Sequence, residues 1–395
     1  MSAIVKAHGM DGMLVSPDWP PLTLAELRAL LSRFPALGQP IEILSVSPRP
    51  FSAASVVRTA GAKIFVKRHH PKVRDREGLL EEHRFLAHLL AHGAPVPRVF
   101  VSASGETAIE MSDWTYEVHE APEDVDLYED ALSWTPFRCA PHAYSAGRAL
   151  ARLHLASAGF SAPRRKPRPL VAGFTIFATA DAAAQMGRYL AARPALAHNA
   201  AVANCAREAV ELLVSFHAEI SLFLPALPPL WTHNDLHASN LLWSDAGDQA
   251  EVTAIIDFGL ADRTNAVHDI AHAIERNIVE WLELGKNQNH PEAIPVHFDH
   301  LHALLDGYES VRPLSDAEAA ALAPMTALCH AEFALSEADY FLGVLHSRQK
   351  ARMAYYGWLV KHARWFLGSH GFALLDVLRQ RGRTRARQKP EEARP

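Results

Sequence analysis

A chain of 395 residues that is 49% hydrophobic and 21% charged can build two lobes around a cleft and has the composition of an ordinary soluble protein. Its apolar runs fall short of the roughly 20 residues that a membrane helix needs, and its first residues lack the apolar core of a secretion signal, so no membrane span and a cytoplasmic location are expected. A formal charge of −5 argues against a nucleic-acid partner, and Cys139, Cys205 and Cys329 are too far apart to suggest a disulfide framework or a zinc cluster.

In chain order, amphipathic helical spacing over 22–34 follows Pro20-Pro21 and marks an N-terminal extension, residues 1–38. Short strands are predicted over 41–46, 53–59 and 63–67, then a helix over 75–92, then strands near 98–102, 107–111 and 115–120. Beyond Pro122 the helical period dominates, most clearly over 142–158, 200–223, 266–284, 316–334 and 349–367. The exception is a hairpin in which Leu241-Leu242-Trp243 and the apolar run 252–256 flank the turn Ser244-Asp245-Ala246-Gly247-Asp248. From 379 to 395 alternate arginines without apolar period predict a disordered basic tail, available to an anionic partner.

The hairpin brings Asn240, before its first strand, and Asp257, after its second, to the same end. With Asp235 just upstream, these groups suit phosphoryl transfer: one carboxylate takes a proton from an attacking hydroxyl while an amide and a second carboxylate hold magnesium. The run His268-Asp269-Ile270-Ala271-His272 has zinc-protease spacing, but Asp stands where that motif requires Glu.

His233-Asn234-Asp235-Leu236-His237, Asn240 and Asp257-Phe258-Gly259 resemble the catalytic and metal-binding loops of the aminoglycoside phosphotransferase and choline/ethanolamine kinase superfamily, relatives of protein kinases. Asn234 replaces the usual Gly, as in the choline kinase variant, and Asp-Phe-Gly has the protein-kinase form. The resemblance implies an α+β, bilobal protein-kinase-like fold. Its nucleotide-binding N-lobe, residues 39–120, would be a small antiparallel sheet with one helix, and its C-lobe, 121–378, mainly helical.

It also implies an ATP-dependent small-molecule kinase using Mg2+. Asp235 would be the proton acceptor and Asn240 and Asp257 the metal ligands. Lys67 would contact the ATP phosphates, oriented by an ion pair from Glu82, with Glu81 as the alternative, and the backbone of Glu120 and Ala121 would meet adenine. The turn 48–55 lacks glycine, and Ser52, Ala53 and Ala54 are the small residues left to approach phosphate. His233 would brace the loop, His237 can approach the transferring phosphate, and His154 reads as a supporting residue. The acceptor is expected to be a small hydroxyl compound, with Asp262, Glu275, Glu280 and Trp281 favouring an amine on it. A choline/ethanolamine-type kinase, a protein kinase and a non-catalytic binding protein are the alternatives; no Ala-Pro-Glu segment follows Asp257 to support the second.

Overall fold

The computed structural model describes residues 6–9, 12–283 and 294–388. Thr23 caps helix α1 (Leu24–Leu31) in a reciprocal pair with Glu26. The buried face of that helix, Leu27, Leu30 and Leu31, shares one apolar core with Val57, Ile64, Val66 and Val118 of the sheet behind it. The N-terminal extension is thus packed onto the small lobe, and Glu26 reinforces the joint by accepting from Arg68 at 2.8 Å and from the Tyr116 hydroxyl at 2.6 Å.

The sheet comprises β1 (Pro40–Val46), β2 (Ala53–Thr59), β3 (Lys63–His69), β4 (Ala108–Met111) and β5 (Trp114–Glu120), in the antiparallel order β1-β2-β3-β5-β4. Strand alternation buries Ile64 and Val66 in the core and leaves Lys63, Phe65 and Lys67 on the cleft side. Helix α2 (Arg76–Ala91) follows, capped by Asp75 accepting from the Gly78 amide at 2.8 Å. The strand expected near 98–102 is instead an extended segment joined to β5 by a single bridge, Val99 to His119.

The larger lobe is mainly helical: α3 (Ala140–Ser157), α4 (Ala182–Ala191), α5 (Ala200–Leu212), α6 (Val214–Ser221), then a cluster of short strands, then α7 (Ala266–Ile278), α8 (Phe298–Glu309), α9 (Asp316–Leu328), α10 (His330–Gly343) and α11 (Ser369–Gln388). The strands form two antiparallel pairs, β6 (Pro229–Thr232) with β9 (Asp262–Asn265), and the expected hairpin β7 (Leu241–Trp243) with β8 (Val252–Ile255). Periodicity did not reveal α4 or α8. It ran α5 and α6 together, and α9 and α10, which break at Cys329. The late helix contains a π-helical segment, Met353–Lys361.

The expected disordered tail is corrected. Helix α11 continues to Gln388, with Arg379 Nη2 2.6 Å from Glu219 and Arg381 Nη2 2.7 Å from Asp306 and 2.6 Å from Glu309. These arginines are held by charge along a helix face, which apolar periodicity does not report, and they meet acids of this chain. Residues 389–395 lie outside the described residues. Among those described, no helix is long and apolar enough to cross a membrane.

Helices α3 and α8 touch through backbone. A Cβ at Gly147 would come within 2.0 Å of Leu304 O, and one at Gly307 within 2.0 Å of Tyr144 O. Gly147→Ala should therefore force the helices apart and destabilise the protein by about 1–3 kcal/mol, as overpacked core sites do. Urea unfolding of the variant checks this; a midpoint equal to the parent's would mean the helices give way freely.

Candidate active site

The loop after β6 is fixed from beneath by Asp269 in the first turn of α7. Its buried carboxylate accepts from the backbone amides of His233 at 2.9 Å and Asn234 at 2.8 Å, and pairs with His154 Nε2 at 3.0 Å. His154 in turn meets the Tyr308 hydroxyl at 2.8 Å, so it acts through Asp269, as expected. Asn234 is left-handed at φ 62, a conformation that Asn tolerates better than most residues. Its side-chain oxygen accepts from Thr232 at 2.7 Å and its amide donates to Leu260 O at 3.1 Å. That explains the departure from glycine: the side chain ties the loop to its neighbours while keeping the required φ.

His233 links both sides of the site. Its Nδ1 accepts from the Asp235 amide at 3.2 Å and its Nε2 meets Ile256 O at 2.9 Å. Asn240 Nδ2 donates to Asp235 O at 2.9 Å, while Asn240 O accepts from Ile256 N–H at 2.9 Å. Asn277 clamps the same loop, donating to Leu236 O and accepting from Ala238 N–H. Asp257, left-handed at φ 61, follows directly. The structure thus brings Asp235, Asn240 and Asp257 around one space, with Lys67 Nζ arriving from β3 at 2.9 Å from Asp257 Oδ1.

Burial would push the Asp257 carboxyl up, but the charge and hydrogen bond of Lys67 prevail and hold it well below the usual carboxylate range. Burial likewise opposes the Lys67 ammonium, and Asp257, Glu117 and Glu82 together raise it above its ordinary value. Asp235 differs: burial raises its carboxyl to about 6 against the opposing charges of Arg276 and His233. His237, 3.7 Å from Asp235, is pushed well down by burial and by Arg49 and Arg276, so its ring is neutral.

The expected Lys67–Glu82 ion pair is corrected. Glu82 shares the cavity with Lys67, but its carboxylate faces Arg165 at 4.0 Å, and Glu81 lies 3.5 Å from the same guanidinium. Arg165 is buried and captures the acidic edge of α2, leaving Lys67 to Asp257. Glu117 stands opposite Lys67 in the β3–β5 register and is held by His69, His83 and His119 at 2.8 to 2.9 Å.

Two cavities meet here. One of about 460 Å³ lies beneath the sheet and is lined by Val46, Ala54, Lys67, Glu120, Ala121 and Leu242, so both expected linker residues face it. The other, about 140 Å³, is lined by Asp235, Arg276, Trp134, Phe333 and Glu337. Arg49 borders both; it comes from the glycine-free turn and donates to Ala131 O and the Ser133 hydroxyl at 3.2 Å.

The smaller cavity owes little to the residues expected there. Asp262 accepts backbone amides from Arg165 and Arg263, Glu280 pairs with His297, Trp281 is buried with its indole N–H on Glu275 O, and Glu275 lies behind Arg276. None of the four lines the cavity. Its charged wall is Arg276, 3.4 Å from Asp235 and sandwiched 3.9 Å from the ring centres of Trp134 and Phe333. Trp134 is itself stacked on Trp358 at 4.4 Å, so the π-helical segment backs this wall. Burial drives the Glu337 carboxyl well up, and its Oε2 has no hydrogen-bond partner.

Comparison with known proteins agrees with this geometry. The family model described as "Phosphotransferase enzyme family" matches residues 49–314. A homoserine kinase from Rhodospirillum rubrum is 26% identical over 245 residues, which are 60% of this chain and 61% of that one. Among solved structures, a microcompartment-associated aminopropanol kinase superposes with a TM-score of 0.59 at 18% identity, covering 88% of this chain and 99% of that one. An amicoumacin kinase, solved with AMP-PNP, Ca2+ and Ami, gives 0.55 at 14% identity, covering 88% and 96%. These likenesses establish the bilobal kinase-like fold.

The Arg276 cation stabilises the ionised form of Asp235. Arg276→Met should therefore raise the Asp235 carboxyl above about 6. A pH titration of aspartate side-chain carbons by NMR in parent and variant checks the direction; a downward move would contradict it.

Proposed function

The chain belongs to the phosphotransferase enzyme family, and from that premise we propose that it transfers the γ-phosphoryl group of ATP to the hydroxyl of a small molecule. The observation that carries this reading is the position of Asp235. It lines the smaller cavity, whose wall shares Asn240, Asp257 and Lys67 with the larger one. A nucleotide in the larger cavity and a hydroxyl in the smaller would meet at this boundary.

The residues present fit a magnesium site. Asn240 commits its amide nitrogen to Asp235 O and so has its oxygen to offer, Asp257 is held ionised, and both are the hard oxygen donors that magnesium takes. Asn240 and Asp257 would hold Mg2+, whose charge would offset that of the nucleotide phosphates. Lys67 and Arg49 place two fixed cations beside the phosphate path, and the backbone at Glu120 and Ala121 would hold adenine. Asp235 orients the acceptor hydroxyl and receives its proton as the new P–O bond forms and the bond to the leaving ADP oxygen breaks. A carboxyl raised to about 6 is still ionised at neutral pH and is a better proton acceptor than an unperturbed one. Positioning and electrostatics supply most of the acceleration.

For the acceptor we infer a compact, amine-bearing alcohol. About 140 Å³ offers on the order of ten water-sized positions, which suits a short amino alcohol or hydroxy amino acid better than a multi-ring antibiotic. Glu337 lacks a partner in that cavity, and an ammonium group would supply one and restore its charge, while Trp134 and Phe333 provide faces for cation contact.

Two measurements test these roles. Asp235→Asn should lower transfer by about 10²–10⁴-fold with magnesium-ATP binding intact, whereas Asp257→Asn should raise the magnesium requirement; identical magnesium titrations for the two would overturn the division of labour. Glu337→Gln should raise KM for amine-bearing acceptors by about tenfold, the scale of one lost charge-assisted hydrogen bond. Efficient turnover of neutral sugars or multi-ring aminoglycosides in preference to short amino alcohols would refute the acceptor class and leave the transfer chemistry standing.

A further inference from the structure

Behind the wall of the smaller cavity, between α7, the α9–α10 break and the end of the π-helical segment, lies a polar cluster that phosphoryl transfer does not use. His272 and Glu275 are three residues apart on one face of α7, and Cys329 occupies the break. The ligand atoms of these three side chains all lie within 4.8 Å of one another, and the residues are 2%, 0% and 1% exposed. His362 brings Nε2 to 3.0 Å from Glu275 Oε1, at angles that make no hydrogen bond.

What distinguishes this cluster is that most of its polar atoms make no hydrogen bond, while the Cys329 thiol donates only to Thr326 O at 3.5 Å. Both carboxylate oxygens of Glu275, Nδ1 of His272 and both ring nitrogens of His362 are buried without a hydrogen-bond partner. Buried polar groups are rarely left so, and several converging on one point call for a shared partner. A second histidine cluster, around Glu117, makes the contrast. There, each of three Nε2 atoms meets the carboxylate at 2.8 to 2.9 Å, and the group satisfies itself.

We propose that His272, Glu275 and Cys329 bind one Zn2+, with His362 Nε2 standing 3.0 Å from Glu275 Oε1 as a further donor. Thiolate, imidazole and carboxylate together match the borderline-soft preference of zinc and not the all-oxygen preference of magnesium. The thiolate and the carboxylate balance the charge of the ion, so the buried site is neutral, and binding releases the Cys329 thiol proton to solvent. Full burial makes this a closed, structural site loaded during folding. It ties α7 to the α9–α10 break and to the π-helical segment, and π-helical turns are commonly kept at such functional positions. The consequence reaches the cavity, because Glu275 Oε2 lies 3.4 Å from Arg276 Nε: the ion fixes the carboxylate that Arg276 faces on the side away from Asp235.

The test is metal content of the full chain, independent of any kinase assay. Protein purified without chelators should carry about one zinc per chain, and Cys329→Ser and His272→Ala should each lose most of it while His83→Ala, in the Glu117 cluster, keeps it. Because a variant can misfold, the parent is also stripped with chelator, checked for retained helicity by circular dichroism, and titrated with Co2+. A thiolate-to-cobalt charge-transfer band should grow in the parent and be missing in folded Cys329→Ser. Zinc below about a tenth of an equivalent with no cobalt band, or zinc that follows His83 and ignores Cys329, overturns the proposal.

Discussion

The constraint on which the site depends is the Asp269 carboxylate, buried under the loop after β6 and accepting the two consecutive amides of His233 and Asn234. A loop this deeply buried cannot leave its amides to water, so a charge with two free acceptors at the start of α7 decides where the chain turns. Once Asn234 is turned left-handed, Asp235 must project toward the cleft, His233 can bridge to Ile256, and Asn240 is drawn back onto Asp235 O. Asp257 then inherits its place from the hairpin. Removing the brace would disturb four groups at once, although Asp269 touches none of the reacting atoms.

Legibility in the sequence followed distance along the chain. Asp235, Asn240 and Asp257 lie within one loop and one hairpin, where spacing alone fixes their relation, and α1, α2 and the sheet announced themselves through caps and alternating strands. Arg49, Trp134, Arg276, Phe333 and Glu337 come from separate elements, and each taken singly has an ordinary neighbourhood. Arg49 was visible as the one cation in a turn that lacked glycine, and its weight was missed. The Glu82 reading failed for a related reason: nothing near α2 in sequence reveals that Arg165 folds back onto it. Helical period also cannot see a helix broken at Cys329 or one held at its end by arginine pairs.

Electrostatics separates the two carboxylates that the motif alone treats as alike. Both are partly withdrawn from water, with 19% of the Asp235 side chain and 40% of the Asp257 side chain exposed, so both feel the desolvation that raises a carboxyl. Asp257 receives a direct lysine contact at 2.9 Å, which outweighs that cost, whereas Asp235 has Arg276 only at 3.4 Å and shared with Glu275. One group is thereby suited to remain charged beside a cation and the other to accept a proton near neutrality.

Arg276 is consequently the point at which the wall of the smaller cavity and Asp235 are coupled. Its guanidinium is clamped between two aromatic rings, so it cannot swing to satisfy one carboxylate at the expense of the other. With Asp235 on one side and Glu275 on the other, the field it presents to Asp235 depends on how much of its charge Glu275 neutralises. Burial alone pushes the Glu275 carboxyl up, and the cation proposed behind it would hold that group as the carboxylate. A charged Glu275 weakens the help that Arg276 gives to an ionised Asp235 and makes Asp235 the stronger proton acceptor, while a cation on Glu275 would hand part of that help back. The basicity of Asp235 is therefore set one layer behind it, by residues that no local motif contains.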